Sequence, residues 1–281
     1  MESKKSPNLI IYDIMNAFHT AREIEYETFV FSGGEVHIKI KETLYTGRVK
    51  LECRINSSDD LMRLVMAVDA LRRMYVSYIE VFIPYIPYAR QDRVMVQGEA
   101  LSLKVFAGIL NSLKLDRVEC YDTHSDISLA LIDNVFHHTN FEEVAKFILQ
   151  NISSENILIV APDAGACKKI YKLCQHLAYE GDIIISNKVR NVNTGEIMST
   201  EVNGDVKGRN CLVVDDVVDG GRTFVELAKA LKEKGAAKLY LFASHGIFSK
   251  GYNELLQHFD IIGTTDSIRN DYPETIKVIK L

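Results

Sequence analysis

The sequence has 281 residues, 47% hydrophobic and 25% charged, with 16 Gly, 5 Pro and a formal net charge of −5. These proportions match average globular usage and exclude collagen, a disordered tail protein and a disulfide miniprotein. The acidic balance argues against a nucleic-acid binder, and no run approaches the roughly 18 apolar residues of a membrane span. At roughly 150 residues per domain, the length points to about two domains.

The first residues run into a short apolar stretch, Leu9 to Tyr12, too brief for a secretory signal. Cys53, Cys120, Cys167, Cys174 and Cys211 are odd in number and never form a Cys-x-x-Cys pair. They read as reduced, buried thiols of a cytoplasmic protein. Asp59 to Met74 reads as a helix, with Leu61, Leu64, Val65, Val68 and Leu71 at 3-4 spacing. A strand follows at Ile79 to Pro84, a helix at Glu99 to Leu113 and a strand at Arg117 to Tyr121. A His-His-Thr-Asn stretch between Asn134 and Asn140 breaks the pattern and sets domains of 1–137 and 138–281.

Past that seam come a helix (Phe141 to Gln150), a strand (Asn156 to Val160), a helix (Ala164 to Tyr179) and a strand (Asp182 to Ser186). Asn187 to Gly208 is polar and lacks a core pattern, the mark of a functional or mobile loop. Strands at Cys211 to Val214, Leu239 to Ala243 and Asp260 to Gly263 complete the series, with a helix from Phe224 to Leu231. Strands alternating with long helices imply an α/β fold of mainly parallel sheets flanked by helices.

In open parallel sheets, ligands bind beyond the carboxyl ends of the strands. Four strand ends here carry polar clusters: Tyr85 to Arg93, Asp122 to Asp126, Pro162 to Gly165, and Asp215 to Thr223. In the last, Asp215, Asp216 and Asp219 precede Gly220, Gly221, Arg222 and Thr223, and then a helix begins. The glycines let backbone N–H groups approach an anion, and the helix start adds a positive dipole end. The carboxylates suit ribose hydroxyls or a metal ion. Together they read as a sugar-phosphate site, although acid-rich turns before helices also serve as plain N-caps.

VVDDVVDGGRT resembles the phosphoribosyl-diphosphate loop of phosphoribosyltransferases and ribose-phosphate diphosphokinases. FSGGE at Phe31 to Glu35, MAVDALRR ending at Arg73, IPYIPYARQDR ending at Arg93 and VAPDAG ending at Gly165 single out the diphosphokinases. The resemblance implies two phosphoribosyltransferase-like domains. It also implies transfer of the β,γ-diphosphoryl group of Mg-ATP to the C1 hydroxyl of ribose 5-phosphate, releasing AMP. By position, Phe31, Gly33, Gly34, Glu35, Arg90, Gln91 and Asp92 would form the ATP site, and His124 and Asp163 would lie at the magnesium. Lys188 and Arg190 match a mobile catalytic loop, and Asp215, Asp216, Asp219, Gly220, Gly221, Arg222 and Thr223 would hold the ribose phosphate. A homo-oligomer, dimer or dimer-based hexamer, is implied too.

Three positions depart from the family pattern. Gly33 stands where the family has Asp, Lys188-Val189-Arg190 replaces Lys-Arg-Arg, and Asp219-Gly220-Gly221-Arg222-Thr223 replaces Asp-Thr-x-Gly-Thr. The last change removes a hydroxyl and adds a guanidinium. It leaves open a larger 5-substituted ribose such as ADP-ribose as acceptor, and a catalytically silent regulatory relative is the alternative from another class. The family's final helical segment would lie beyond Leu281.

Overall fold

The computed structural model describes residues 6, 8–13, 22–44, 47–152, 157–190 and 197–281, leaving out the side chains of 188–190 and 197–199. The chain divides into two units, Met1–His138 and Thr139–Leu281.

In the first unit, β1 (Leu9–Asp13), β2 (Arg22–Glu23) and a hairpin of β3 (Tyr26–Val30) and β4 (Val36–Ile40) precede β5 (Arg48–Cys53). Then α1 (Ser58–Arg73), β6 (Tyr78–Ile83), α2 (Ser102–Ser112), β7 (Arg117–Tyr121), α3 (Asp126–Leu131) and β8 (Val135–His138) follow. α1 starts where it does because Ser57 accepts the Asp60 N–H at 3.2 Å, while the Asp60 carboxylate accepts the Ser57 hydroxyl at 2.8 Å. This reciprocal arrangement is a variant of the capping box. Asp59 and Asp60 in the first turn and Arg72 and Arg73 in the last both complement the helix dipole. The sheet order is β2-β1-β5-β6-β7-β8, with β5 to β8 parallel and β1 antiparallel to β5.

In the second unit, α4 (Phe141–Asn151), β9 (Ile157–Ala161), a short 3-10 turn (Ala164–Ala166), α5 (Cys167–His176), β10 (Ile183–Arg190) and β11 (Ile197–Asn203) lead to β12 (Asn210–Val218). The chain continues through α6 (Arg222–Glu233), β13 (Leu239–Gly246), α7 (Asn253–Leu256), β14 (Ile261–Thr265) and β15 (Ile276–Ile279). The order is β11-β10-β9-β12-β13-β14-β15, parallel except for β10 with β11. Every residue of β9 and of β13 is buried, the pattern of strands covered on both faces. One apolar cluster joins Leu158, Val213 and Leu241 to Leu227 and Leu231 of α6, and another joins Ile159, Val214 and Phe242 to Phe147 of α4 and Leu173 of α5.

Three sequence expectations change. The polar segment from Asn187 is not one loop: β10 runs on to Arg190 and pairs antiparallel with β11, with Val202 buried. A two-stranded ribbon satisfies its own backbone without needing a continuous apolar pattern. His137 and His138, read as part of an interruption, lie in β8, an edge strand. β12 continues past Val214 to Val218, so Asp215 and Asp216 are strand residues rather than turn residues. All five cysteines are free, and burial pushes the Cys53 and Cys120 thiols up to about 12. Among the described residues, no helix is long and apolar enough to cross a membrane.

Candidate active site

In the first unit the loop after β6 makes a tight turn. Tyr88 adopts a left-handed conformation (φ 62°), and the Gln91 N–H donates to its carbonyl at 2.8 Å. Ala89 is buried while Arg90 is exposed, so the turn is anchored beneath an outward guanidinium. The Gln91 carbonyl accepts the Leu103 N–H at 3.3 Å and ties the loop to the start of α2.

A second left-handed residue, Asp122 (φ 45°), follows β7, with its N–H donating to the His138 carbonyl at 2.8 Å. Such conformations cost about 1–3 kcal/mol each and gather at functional sites. The two loops are joined by side chains. The Ser125 hydroxyl donates to Asp92 at 2.6 Å and accepts the Ile127 N–H at 3.2 Å, capping α3. Arg93 Nε donates to Asp92 at 2.8 Å. Hydrogen bonds from Arg93 and then Ser125 lower the Asp92 carboxyl to about 2, so it is fully ionised at neutral pH.

Between the loops lies a cleft of about 600 Å³, lined by Arg90, Gln91, Asp92, Arg93, Glu99 and His124 among others. Four residues assigned from sequence thus share one cleft: Arg90, Gln91, Asp92 and His124. Arg93, Ser125 and Glu99 had no assigned role. Glu99 accepts the N–H groups of Met95 at 2.9 Å and Val96 at 3.1 Å, closing the loop that forms one wall. YARQDR contained the signal for Arg93, whereas Ser125 meets Asp92 from 33 residues away, a pairing that no local pattern announces.

Phe31, Gly33, Gly34 and Glu35 are elsewhere, at the turn of the β3–β4 hairpin, and do not line this cleft. Gly34 has φ 94°, and its N–H donates to the Phe31 carbonyl at 2.9 Å. Phe31 is exposed, with its ring edge-on to Phe29 at 5.0 Å. β4 packs on α1, which fixes the base of the hairpin and leaves its tip free of the core.

In the second unit β12 delivers Asp215 and Asp216, and a three-residue turn, Asp219 to Gly221, enters α6. Burial, followed by the adjacent Asp216 charge, raises the Asp215 carboxyl well above the usual carboxylate range. The Asp216 N–H donates to Asp215 at 2.9 Å. Gly221 has φ 79°, and a Cβ there would press on Leu255 at 3.2 Å, so the position needs glycine on both counts. No side chain caps α6. Its first intrahelical bond is from the Phe224 N–H to the Gly221 carbonyl at 3.0 Å, which leaves the N–H groups of Arg222 and Thr223 ahead of it. An uncapped helix start behind glycines is an anion cradle.

Asp163 accepts the Ala166 N–H at 3.2 Å and caps the 3-10 turn, which is the ordinary structural use of an acid there. It belongs to the second unit and His124 to the first. Among the described residues, no group of three or more His, Cys, Asp or Glu forms a preassembled metal cage. Lys188 and Arg190 fall on β10, and their side chains lie outside the described residues.

Residues 8–113 match the N-terminal domain of ribose phosphate pyrophosphokinase, and residues 181–280 match the phosphoribosyl synthetase-associated domain. The ribose-phosphate pyrophosphokinase of Pasteurella multocida is 33% identical over 247 residues, 85% of this chain and 77% of that protein. The chain belongs to the ribose-phosphate pyrophosphokinase family. The Shewanella oneidensis member is 34% identical over 263 residues, covering 89% of this chain and 80% of its own. A crystal structure of phosphoribosylpyrophosphate synthetase from Mycobacterium smegmatis superposes with a TM-score of 0.80 at 26% identity, covering 92% of this chain and 86% of that one. That match supports the mainly parallel α/β architecture of both units.

Proposed function

We propose that this chain is an ATP-dependent ribose-phosphate diphosphokinase making 5-phosphoribosyl 1-diphosphate and AMP. The observation that carries the reading is identity of about one third, spread over more than three quarters of proteins named for this activity. The Pasteurella multocida and Shewanella oneidensis relatives are both named for transfer to ribose phosphate, and neither name points to ADP-ribose or to a silent regulator.

The C1 hydroxyl oxygen of ribose 5-phosphate attacks the β-phosphorus of ATP, and its proton passes to water. The bond from that phosphorus to the oxygen bridging the α-phosphate breaks, and AMP leaves with that oxygen. Such a reaction asks the protein mainly for positioning and charge neutralisation. Arg90 and Arg93 supply cations to the polyphosphate in the first unit's cleft, and Gln91 adds an amide. Phe31 and the Gly33 to Glu35 turn present an exposed aromatic and backbone groups to nucleotide. The Asp219 to Thr223 turn takes the 5-phosphate, and Asp215 and Asp216 take the ribose hydroxyls. Lys188 and Arg190 are assigned to the charge that develops on the transferred group.

Magnesium, when bound, would neutralise the diphosphoryl oxygens. The carboxylates here are the hard oxygen donors that this ion selects, and His124 would reach it through water. Exposed Val105 and Ile109 on α2 give the first unit an apolar surface suited to self-association. The test is turnover of ATP to AMP with ribose 5-phosphate, with and without excess chelator. The expected result is AMP formation that chelator abolishes. Undiminished activity in chelator would remove the metal from the scheme, and absence of AMP would overturn the reading.

A further inference from the structure

The turn that would hold the 5-phosphate lacks a side chain at Gly220, and the loop after β13 faces that gap. A Cβ built on Gly220 would lie 3.7 Å from both Cδ and Cε of Lys250, and 3.9 Å from the Ser249 hydroxyl. The methylene stem of Lys250 therefore runs beside the glycine turn, with its ammonium one bond further on. We propose that Lys250 is a phosphate-binding residue of this enzyme, gripping the 5-phosphate of ribose 5-phosphate across Gly220. The proposal rests on the assignment of the Asp219 to Thr223 turn to that phosphate.

The loop that carries Lys250 is held firmly. Ile247 and Phe248 donate their N–H groups to the Val218 carbonyl at 2.9 and 3.1 Å, and Ser249 donates to the Asp219 carbonyl at 3.2 Å. The Lys250 backbone is thus tied to the residues that form the turn. Phe248 is buried in a left-handed conformation (φ 49°), its ring centroid 4.9 Å from that of Tyr252. The Gly251 N–H donates to the Phe248 carbonyl at 2.8 Å and closes a four-residue turn with Lys250 in third place. Backbone ordering around Lys250 is therefore settled before substrate arrives, which lowers the entropic cost of the contact.

The charge pattern fits. Lys250 and Arg222 are both exposed, Arg222 directly after Gly221 in the chain and Lys250 with its stem beside Gly220. Neither makes an ion pair with another described residue. Two cations without carboxylate partners beside an uncapped helix start are complementary to a dianion. A lysine acts as a point charge on a flexible stem, and phosphate recognition uses it that way. Gly220 itself is not in the left-handed region. A Cβ there would meet Lys250 only in ordinary van der Waals contact, so the backbone admits the side chain of a threonine.

The test is steady-state kinetics of the full-length enzyme with Mg-ATP and ribose 5-phosphate. Lys250→Ala should raise KM for ribose 5-phosphate by about 10- to 100-fold, the range for one hydrogen bond to a charged group, with KM for ATP and kcat nearly unchanged. Lys250→Arg should keep most of the affinity, and Gly220→Thr added to Lys250→Ala should recover several-fold of the loss. Thr223→Ala serves as the control for the turn. If Thr223→Ala raises that KM and Lys250→Ala does not, the assignment of Lys250 is wrong while the turn stands. If neither variant moves it, the reading of the turn fails and this proposal falls with it. Equal losses in kcat and both KM values would mark a structural role and also overturn the proposal.

Discussion

The two units bury their sheets differently. In the first, β5 and β6 alternate strictly: Val49, Leu51, Cys53, Ile79, Val81 and Ile83 are buried, and the residues between them are not. A single cluster collects that face with Leu64 and Leu71 of α1 and Phe106 of α2. The opposite face carries Lys50, Glu80, Phe82 and Glu119, with Lys50 3.3 Å from Glu80 and 3.0 Å from Glu119. Lys50 pairs with Glu80 in register, and Phe82 with Glu119. In the second unit the strands β9 and β13 are buried outright and two clusters clad the sheet. The first unit therefore depends on one apolar layer and polar pairing, the second on two layers. The sites follow suit: a cleft built from charged side chains in one unit, a backbone cradle in the other.

The contrast breaks most visibly under core truncation. Leu64→Ala and Leu173→Ala should each cost about 2–5 kcal/mol. The first should lower hydrogen-exchange protection throughout residues 47–138, because no second cluster supports that sheet. The second should leave protection around α6 and β13 largely intact. Equal spread of the damage in both units would contradict the one-layer description.

Next in size is Lys188→Ala, expected to lower kcat by ~10²–10³ with a smaller change in KM for ATP, as for loss of one preorganised donor to transition-state charge. Parent-like turnover would take Lys188 out of the reaction.

The smallest effects are in the pH dependence of stability, and the two sites should differ in sign. Asp92 has a lowered carboxyl, so its stabilisation is present at neutral pH and is lost as pH falls towards about 2. Asp92→Asn should lower Tm at pH 7 and flatten the acid limb. Asp215 has a raised carboxyl, so its contribution is present below the ordinary carboxylate range and lost as pH rises through its folded value. Asp215→Asn should raise Tm at pH 7 while impairing turnover. A fall in Tm for both variants would refute the opposed electrostatics.

The sequence carried the buried elements of the second unit and the first unit's helices well. β7 at Arg117–Tyr121 coincides with its expected bounds, because Val118 and Cys120 stand in a short apolar run between helices. The strand expected at Cys211 to Val214 stops short of the observed end of β12 at Val218, because polar residues such as Asp215 and Asp216 at the carboxyl end of a parallel strand mimic a turn. β4 (VHIKI) and β5 (RVKLEC) alternate, and β8 (VFHH) is a half-exposed edge, so none offers a continuous apolar run. At the candidate sites, YARQDR and DDVVDGGRT marked residues that line the first unit's cleft and form the turn into α6. Ser125 and the loop of the proposed Lys250 were silent, since each is placed by hydrogen bonds to a distant segment, Asp92 for the one and Val218 and Asp219 for the other.

The most direct measurement is the fate of the phosphorus atoms of ATP during turnover with ribose 5-phosphate, followed by phosphorus NMR and product mass. Transfer of the intact β,γ-diphosphoryl group should give AMP and a 5-phosphoribosyl 1-diphosphate in equal amounts, with no ADP. ADP with a singly phosphorylated acceptor, or AMP with free diphosphate and unchanged ribose 5-phosphate, would contradict it.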